Sequence, residues 1–169
     1  MVFNPSQKSK IVSENYPALT LAGCQLAFVS SFKYLGHVIE NNLCDDSDIN
    51  RELKCLYTRT NILIRRFHKC SVKVKITLFR TYCICLYDAA LWTNYSAKTF
   101  SLLTSAYHKC IKMFFGYEKY CSVTEMLFEL SLPSLDILII KYRSSLVNQL
   151  VNCDTNNRIM CAINSIILK

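Results

Sequence analysis

A chain of 169 residues is long enough for one globular domain with a sizeable core, or for a small lead plus a helical domain, and argues against two independent cores. With 51% hydrophobic and 19% charged residues and only three Gly and three Pro, the composition excludes a disordered or low-complexity chain and favours compact helical structure. The net charge of +8 is concentrated, because Arg51 to Lys112 holds twelve Lys or Arg against Glu52 and Asp88 and the remainder sums to −2. Such a segment suits a polyanionic partner, of which nucleic acid is the commonest, and equally a solvated basic face.

In chain order, Leu19-Thr20-Leu21 and Gln25-Leu26-Ala27-Phe28 alternate around Ala22-Gly23-Cys24, which predicts a hairpin turning at Gly23. The pentad Phe32-Lys33-Tyr34-Leu35-Gly36 predicts a third strand, with Phe32, Tyr34 and Val38 on one face and Lys33 and Leu35 on the other. A cation beside two aromatics suits a phosphate-sugar backbone, and Gly36 permits a close approach or a positive-φ bend. Asp45-Asp46, in the context Leu43-Cys44-Asp45-Asp46-Ser47-Asp48, has helix-start character, since acids favour the positive end of a helix; capping outweighs a metal reading there.

From Asp46 to His68, Ile49, Leu53, Leu56, Thr60, Leu63 and Phe67 step by four and three, which predicts a helix with Arg51, Lys54, Arg59, Arg65 and Arg66 largely off the stripe. Ser71 is placed to cap a second helix with Val72, Ile76, Phe79, Cys83 and Leu86 inward and Lys73, Lys75 and Arg80 elsewhere, antiparallel to the first. Leu91-Trp92 reads as an apolar plug, Trp92 as core rather than a base-stacking platform. Ser96 caps a third helix to about Phe115, with Leu103, Tyr107, Cys110 and Phe114 on its stripe, Lys98, Lys109 and Lys112 outside it, and Gly116 ending it. Ser122-Val123-Thr124-Glu125 is a capping box for a short helix. Ser134 starts a long one with Leu135, Leu138, Ile139, Tyr142, Leu146 and Leu150 inward, followed by a polar linker at Asn152 to Asn157 and an amphipathic segment at Ile159 to Leu168.

The fold class expected is therefore mainly α, a small β lead over residues 1–44 followed by a basic three-helix bundle over 45–116 and a helical extension over 117–169. Ten cysteines without a secretory leader predict reduced thiols and an intracellular chain, nuclear or cytoplasmic rather than secreted. No pair has zinc-knuckle spacing, Cys83-Ile84-Cys85 diverges on a helix, and the paired His68-Lys69-Cys70 and His108-Lys109-Cys110 lie in basic surroundings that disfavour a dication, so no metal site is expected. No apolar run approaches the roughly twenty residues of a membrane span.

The run from Met1-Val2-Phe3-Asn4-Pro5 through Leu19-x-Leu21-x-Gly23-x-x-Leu26-x-x-Val29 to Phe32-Lys33-Tyr34-Leu35-Gly36-His37-Val38-Ile39 resembles the end of the palm in reverse transcriptases of LINE-type, non-LTR retrotransposons. Asp48-Ile49-x-Arg51-Glu52-Leu53, Thr81-Tyr82-Cys83 with Leu86-Tyr87, Leu91-Trp92 and Leu132-Pro133-Ser134 resemble the helical region after that palm. The resemblance implies that residues 1–44 are the palm's last strands, that Phe32, Lys33, Tyr34, Leu35 and Gly36 form the primer grip, and that 45–116 is the thumb. It implies as partners an RNA template, a DNA primer and the rest of a parent polymerase, with Arg51, Lys54, Arg59, Arg65, Arg66, Lys73, Lys75, Arg80, Lys109 and Lys112 as candidates for backbone contact.

That family's RNA-directed DNA polymerase chemistry uses carboxylates holding Mg²⁺ upstream of the grip, whereas Asp45-Asp46 follows it. The chain alone is accordingly expected to hold no Mg²⁺ or other cofactor, to carry no catalytic residue and to be inactive. The competing expectation is a non-enzymatic helical module that binds nucleic acid or serves structural interaction.

Overall fold

The computed structural model describes residues 19–86 and 88–152. Met1 to Pro5, Tyr87, the linker beyond Asn152 and the segment Ile159 to Leu168, on which sequence readings also fell, lie outside the described residues.

Two short antiparallel hairpins lead the chain. Strand β1 (Thr20–Leu21) pairs with β2 (Cys24–Gln25), Thr20 opposite Gln25, and β3 (Ser31–Tyr34) pairs with β4 (His37–Glu40), Tyr34 opposite His37. Each turns on an apolar residue followed by glycine, with φ of +50° and +80° at Ala22-Gly23 and +49° and +94° at Leu35-Gly36. Two positive φ values in succession let a two-residue turn follow the right-handed twist of its strands, and glycine takes the second without steric cost.

The pentad is therefore a strand and its turn, and no strand runs through it to Val38. Leu35 belongs to the turn instead of sharing a strand face with Lys33, and Val38 pairs with Lys33, on the face opposite Phe32 and Tyr34. The reversal at Leu35-Gly36 resets the two-residue alternation that the sequence reading had carried straight through. In the first hairpin the turn is Ala22-Gly23, and Cys24 already lies in β2.

Three helices follow, α1 (Asp46–Phe67), α2 (Val72–Tyr82) and α3 (Ala97–Phe115). Asp46 Oδ1 accepts from Ser96 N at 2.8 Å, and farther along Lys109 Nζ lies 5.8 Å from the Tyr57 ring centroid, so α1 and α3 run parallel from adjoining N-termini. Two positive dipole ends side by side are stabilised by acids, and Asp45, Asp46 and Asp48 stand there. The short connection after Phe67 returns α2 antiparallel, setting Phe79 against Tyr107, Phe114 and Phe115 with centroids 6.0–6.2 Å apart.

The core collects Ile49, Leu56 and Leu63 of α1, Phe79 of α2, Leu103, Tyr107, Cys110 and Phe114 of α3, and Trp92 from the loop between α2 and α3. Helices α4 (Val123–Glu129) and α5 (Leu135–Val151) add Met126, Leu135, Leu138 and Ile139 to the same cluster. Tyr107 Oη donates to Pro133 O at 2.8 Å, Tyr142 Oη to Ile84 O at 2.6 Å, and Arg80 Nη2 to Ser131 O at 2.6 Å, which satisfies buried or tight backbone carbonyls while fastening the later helices to the bundle.

The serine starts hold: Ser96, Ser122 and Ser134 accept from the N–H three residues on, and Gly116 in the left-handed region ends α3. Ser71 precedes α2 with extended backbone but no side-chain cap bond.

Three apolar assignments differ from expectation. Helix α2 stops at Tyr82, so Leu86 is buried from the following loop rather than from a helical stripe. Val72, at the start of α2, is exposed, and Phe79 is the fully buried residue of that helix. Leu91 is 54% exposed beside a fully buried Trp92, since a turn, not a helix, carries the pair.

The ring cluster yields a direct expectation. Phe79→Ala should cost about 3–5 kcal/mol in urea unfolding, as expected for a fully packed aromatic, and Val72→Ala within about 0.5 kcal/mol of nothing.

Candidate nucleic-acid interface

Where β4 meets α1, Asp48 is fully buried. Its Oδ1 accepts from Val38 N at 3.0 Å and Arg51 Nε at 2.7 Å, and its Oδ2 accepts from Trp92 Nε1 at 2.9 Å and lies 3.0 Å from His37 Nδ1. Arg51 spreads its guanidinium further, with Nη2 to Asp88 Oδ2 at 2.9 Å and Nη1 to Glu52 Oε2 at 3.2 Å, and Arg59 Nη1 meets Glu52 Oε1 at 2.7 Å. Three buried carboxylates thus face two guanidiniums and one imidazole. Burial pushes the Asp48 carboxyl up, but the bonds from Arg51, Trp92 and Val38 outweigh it and hold it below the usual carboxylate range. The same bond to Asp48, reinforced by Glu52 and Asp88, raises Arg51 above its ordinary value.

This network fastens the second hairpin to the bundle. His37 and Val38, just past the Leu35-Gly36 turn, both reach Asp48, and Ser47 Oγ donates to Glu40. Phe32 and Tyr34 stay 54% and 58% exposed, with Lys33 exposed between them. Both rings are presented outward because α1 packs on β4 and leaves β3 outermost.

The ten candidate cations divide. Lys54, Arg65, Arg66 and Lys73 are exposed, and among the described residues none of them forms a salt bridge. Arg51 and Arg59 are ion-paired with buried Asp48, Glu52 and Asp88. Lys112 donates to Lys119 O at 2.8 Å and Cys121 O at 2.7 Å, and Arg80 donates to Ser131 O. Lys75 lies over the Phe114 ring and Lys109 over Tyr57. Arg65 and Arg66, adjacent on the last turn of α1, both point off its apolar stripe.

Asp45-Asp46 does more than start α1. Asp45 precedes the helix without a side-chain cap bond; its Oδ2 accepts from Thr93 N and Asn94 N at 2.8 Å each, so the acid pair stitches the loop before α3 to the start of α1. The His-Lys-Cys triplets are not gathered into a cluster.

The one group with metal-ligand proximity among the described residues is His37, Asp48 and Asp88, whose ligand atoms lie within 4.8 Å of one another. Arg51 already bonds both carboxylates and Trp92 N–H caps Asp48 Oδ2, so these donors fit an ion-pair hub better than a dication. Sequence reasoning missed the hub. Its one local signal was Glu52, an acid at a stripe position between Ile49 and Leu56.

No protein-family model, no curated protein and no solved structure matches the chain. No helix among the described residues is long and apolar enough to cross a membrane.

Because Asp48 is depressed in the folded chain, its contribution is full above the unfolded carboxyl value of about 3.9 and is lost as pH falls through the lower folded value. Asp48→Asn should cost about 3–5 kcal/mol at neutral pH, the range for breaking a buried pair. Its stability should then fall less steeply between pH ~4 and ~2 than that of the wild type, read by chemical unfolding at a series of pH values.

Proposed function

We propose that the chain is the C-terminal part of a LINE-type reverse transcriptase, intracellular in setting, which grips a DNA primer and cradles the RNA–DNA hybrid without itself carrying the catalytic carboxylates. The observation that carries this reading is the outward Phe32-Lys33-Tyr34 tip, locked through His37 and Val38 onto Asp48 at the start of the basic bundle's first helix. A grip must hold one strand at a fixed offset from the cradle that holds the duplex, and a buried hub is a stiff way to set that offset. Lys33 supplies a backbone contact, its ring neighbours supply flat surfaces for sugar or base, and Lys54, Arg65, Arg66 and Lys73 supply sequence-tolerant phosphate contacts. Mg²⁺ and polymerase chemistry belong, on this reading, to the rest of the parent enzyme.

Titration of a labelled RNA–DNA hybrid into the chain at several salt concentrations tests it. Affinity should fall by about one order of magnitude per tenfold salt for each phosphate neutralised, with little dependence on sequence. Arg65→Ala with Arg66→Ala should flatten that slope by about one to two units with the unfolding midpoint unchanged. Lys33→Ala should weaken binding without loss of stability, whereas Arg51→Ala should lose stability first. Absence of binding at low salt, or an affinity indifferent to salt, would replace the reading with a structural interaction module whose basic face is merely solvated.

The second expectation is enzymatic. With primed template, deoxynucleotides and Mg²⁺ the purified chain should extend no primer, and incorporation above a protein-free control would overturn the assignment of catalysis to another part of the parent.

A further inference from the structure

Past Gly116 the chain folds back along the last turns of α3, where Tyr117 N bonds Lys112 O at 3.0 Å, and a concave site of about 650 Å³ is left between them. Ser105, His108, Lys109 and Lys112 line it from α3, Tyr117 and Lys119 from the returning loop, with Met113 beside them. Three of its lining residues are lysines and none carries a carboxylate. Lys112 is half-buried and pinned by the Lys119 and Cys121 carbonyls, so its charge is fixed in place with no salt bridge among the described residues, and one of its three N–H donors is left over.

Groups of both signs face the site. Burial and then the Lys112 charge push the His108 imidazole below its ordinary value, with Asp136 of α5 opposing them. Tyr117 turns its hydroxyl onto Glu129 at 2.7 Å, which occupies that acid; burial and then Glu129 raise the phenol to about 12. Next in the chain, the Tyr120 ring is 89% exposed, with Lys119 Nζ 5.6 Å from its centroid. Lysines around a hollow with an open aromatic face alongside match the needs of one nucleotide, a phosphate among ammonium groups and a base laid on a ring.

We propose that this pocket is a phosphate site for an unpaired nucleic-acid strand, with the neighbouring base stacked on Tyr120. The strand must be unpaired there because a base held in a duplex cannot offer its face to the ring. The pocket lies about 18 Å along α3 from that helix's N-terminus, at a rise of roughly 1.5 Å per residue, and that N-terminus adjoins the start of α1 where the hub sits, so the pocket is separate from the grip. The inference rests on the reading of the chain as a nucleic-acid binder and adds a strand preference that the basic bundle does not imply.

The test uses the intact chain, with inorganic phosphate and an RNA single strand of about twelve nucleotides as probes. His108 imidazole resonances should shift saturably as phosphate is added, and the oligonucleotide should compete for the same shift. Lys119→Ala with Tyr120→Ala, both on exposed side chains, should lower single-strand affinity about tenfold and change blunt-hybrid affinity by less than about twofold. An unmoved His108, or a double variant that binds single strands like the wild type, would overturn the site. A phosphate shift that the oligonucleotide cannot displace would overturn its assignment to a nucleic-acid strand. Single-strand binding through the pocket with no salt-dependent hybrid binding would leave this inference standing and sink the polymerase reading.

Discussion

A carboxylate taken wholly out of water stays ionised only if donors replace its hydration, and Asp48 finds its donors in three separate parts of the chain. Val38 comes from the second hairpin, Arg51 from the next turn of α1, and Trp92 from the loop between α2 and α3, while the His37 imidazole lies close by without a hydrogen bond. Satisfying one charge therefore fixes how the β lead, the first helix and the central tryptophan meet. The obligation propagates: Arg51 also answers Asp88 and Glu52, and Glu52 is answered again by Arg59. Removing a charged member takes a partner from a buried charge, which couples the members of the network.

That network changes the meaning of the basic composition. Charge counted along Arg51 to Lys112 treats every cation as available, yet two arginines are committed to buried acids and Lys112 and Arg80 to backbone carbonyls. What is left for a polyanion is a smaller set on the outer side of α1 and the start of α2, together with the lysines around the α3 pocket. The bundle is held by some of its positive charge and presents the rest.

Most of the helical frame was legible from the chain because it obeys local rules. The four-and-three spacing from Ile49 to Leu63, the serine starts of α3, α4 and α5, the Gly116 stop and the burial of Trp92 all follow from residues close in sequence. The hub was not legible in the same way. Asp48 and Trp92 are 44 positions apart and Arg51 and Asp88 are 37, and periodicity says which way a side chain faces without saying which partner it meets. The strand reading failed at Leu35-Gly36 for a related reason: a non-glycine residue at positive φ is disfavoured locally, and the pairing of β3 with β4 overrides that preference.

The first hairpin has consequences for how the protein behaves in bulk. Its strands are two residues each, and Leu19, Leu21, Leu26 and Val29 around them are all exposed. A two-stranded ribbon of that length is marginal in water by itself, and any strand edge without a partner turns backbone donors and acceptors to solvent. An extended segment of another molecule can add to such an edge, and the apolar side chains would reward it. Exposed apolar side chains on so short a ribbon offer molecules of the free chain a route to association, opposed by dilution and net positive charge and favoured by concentration and screening salt.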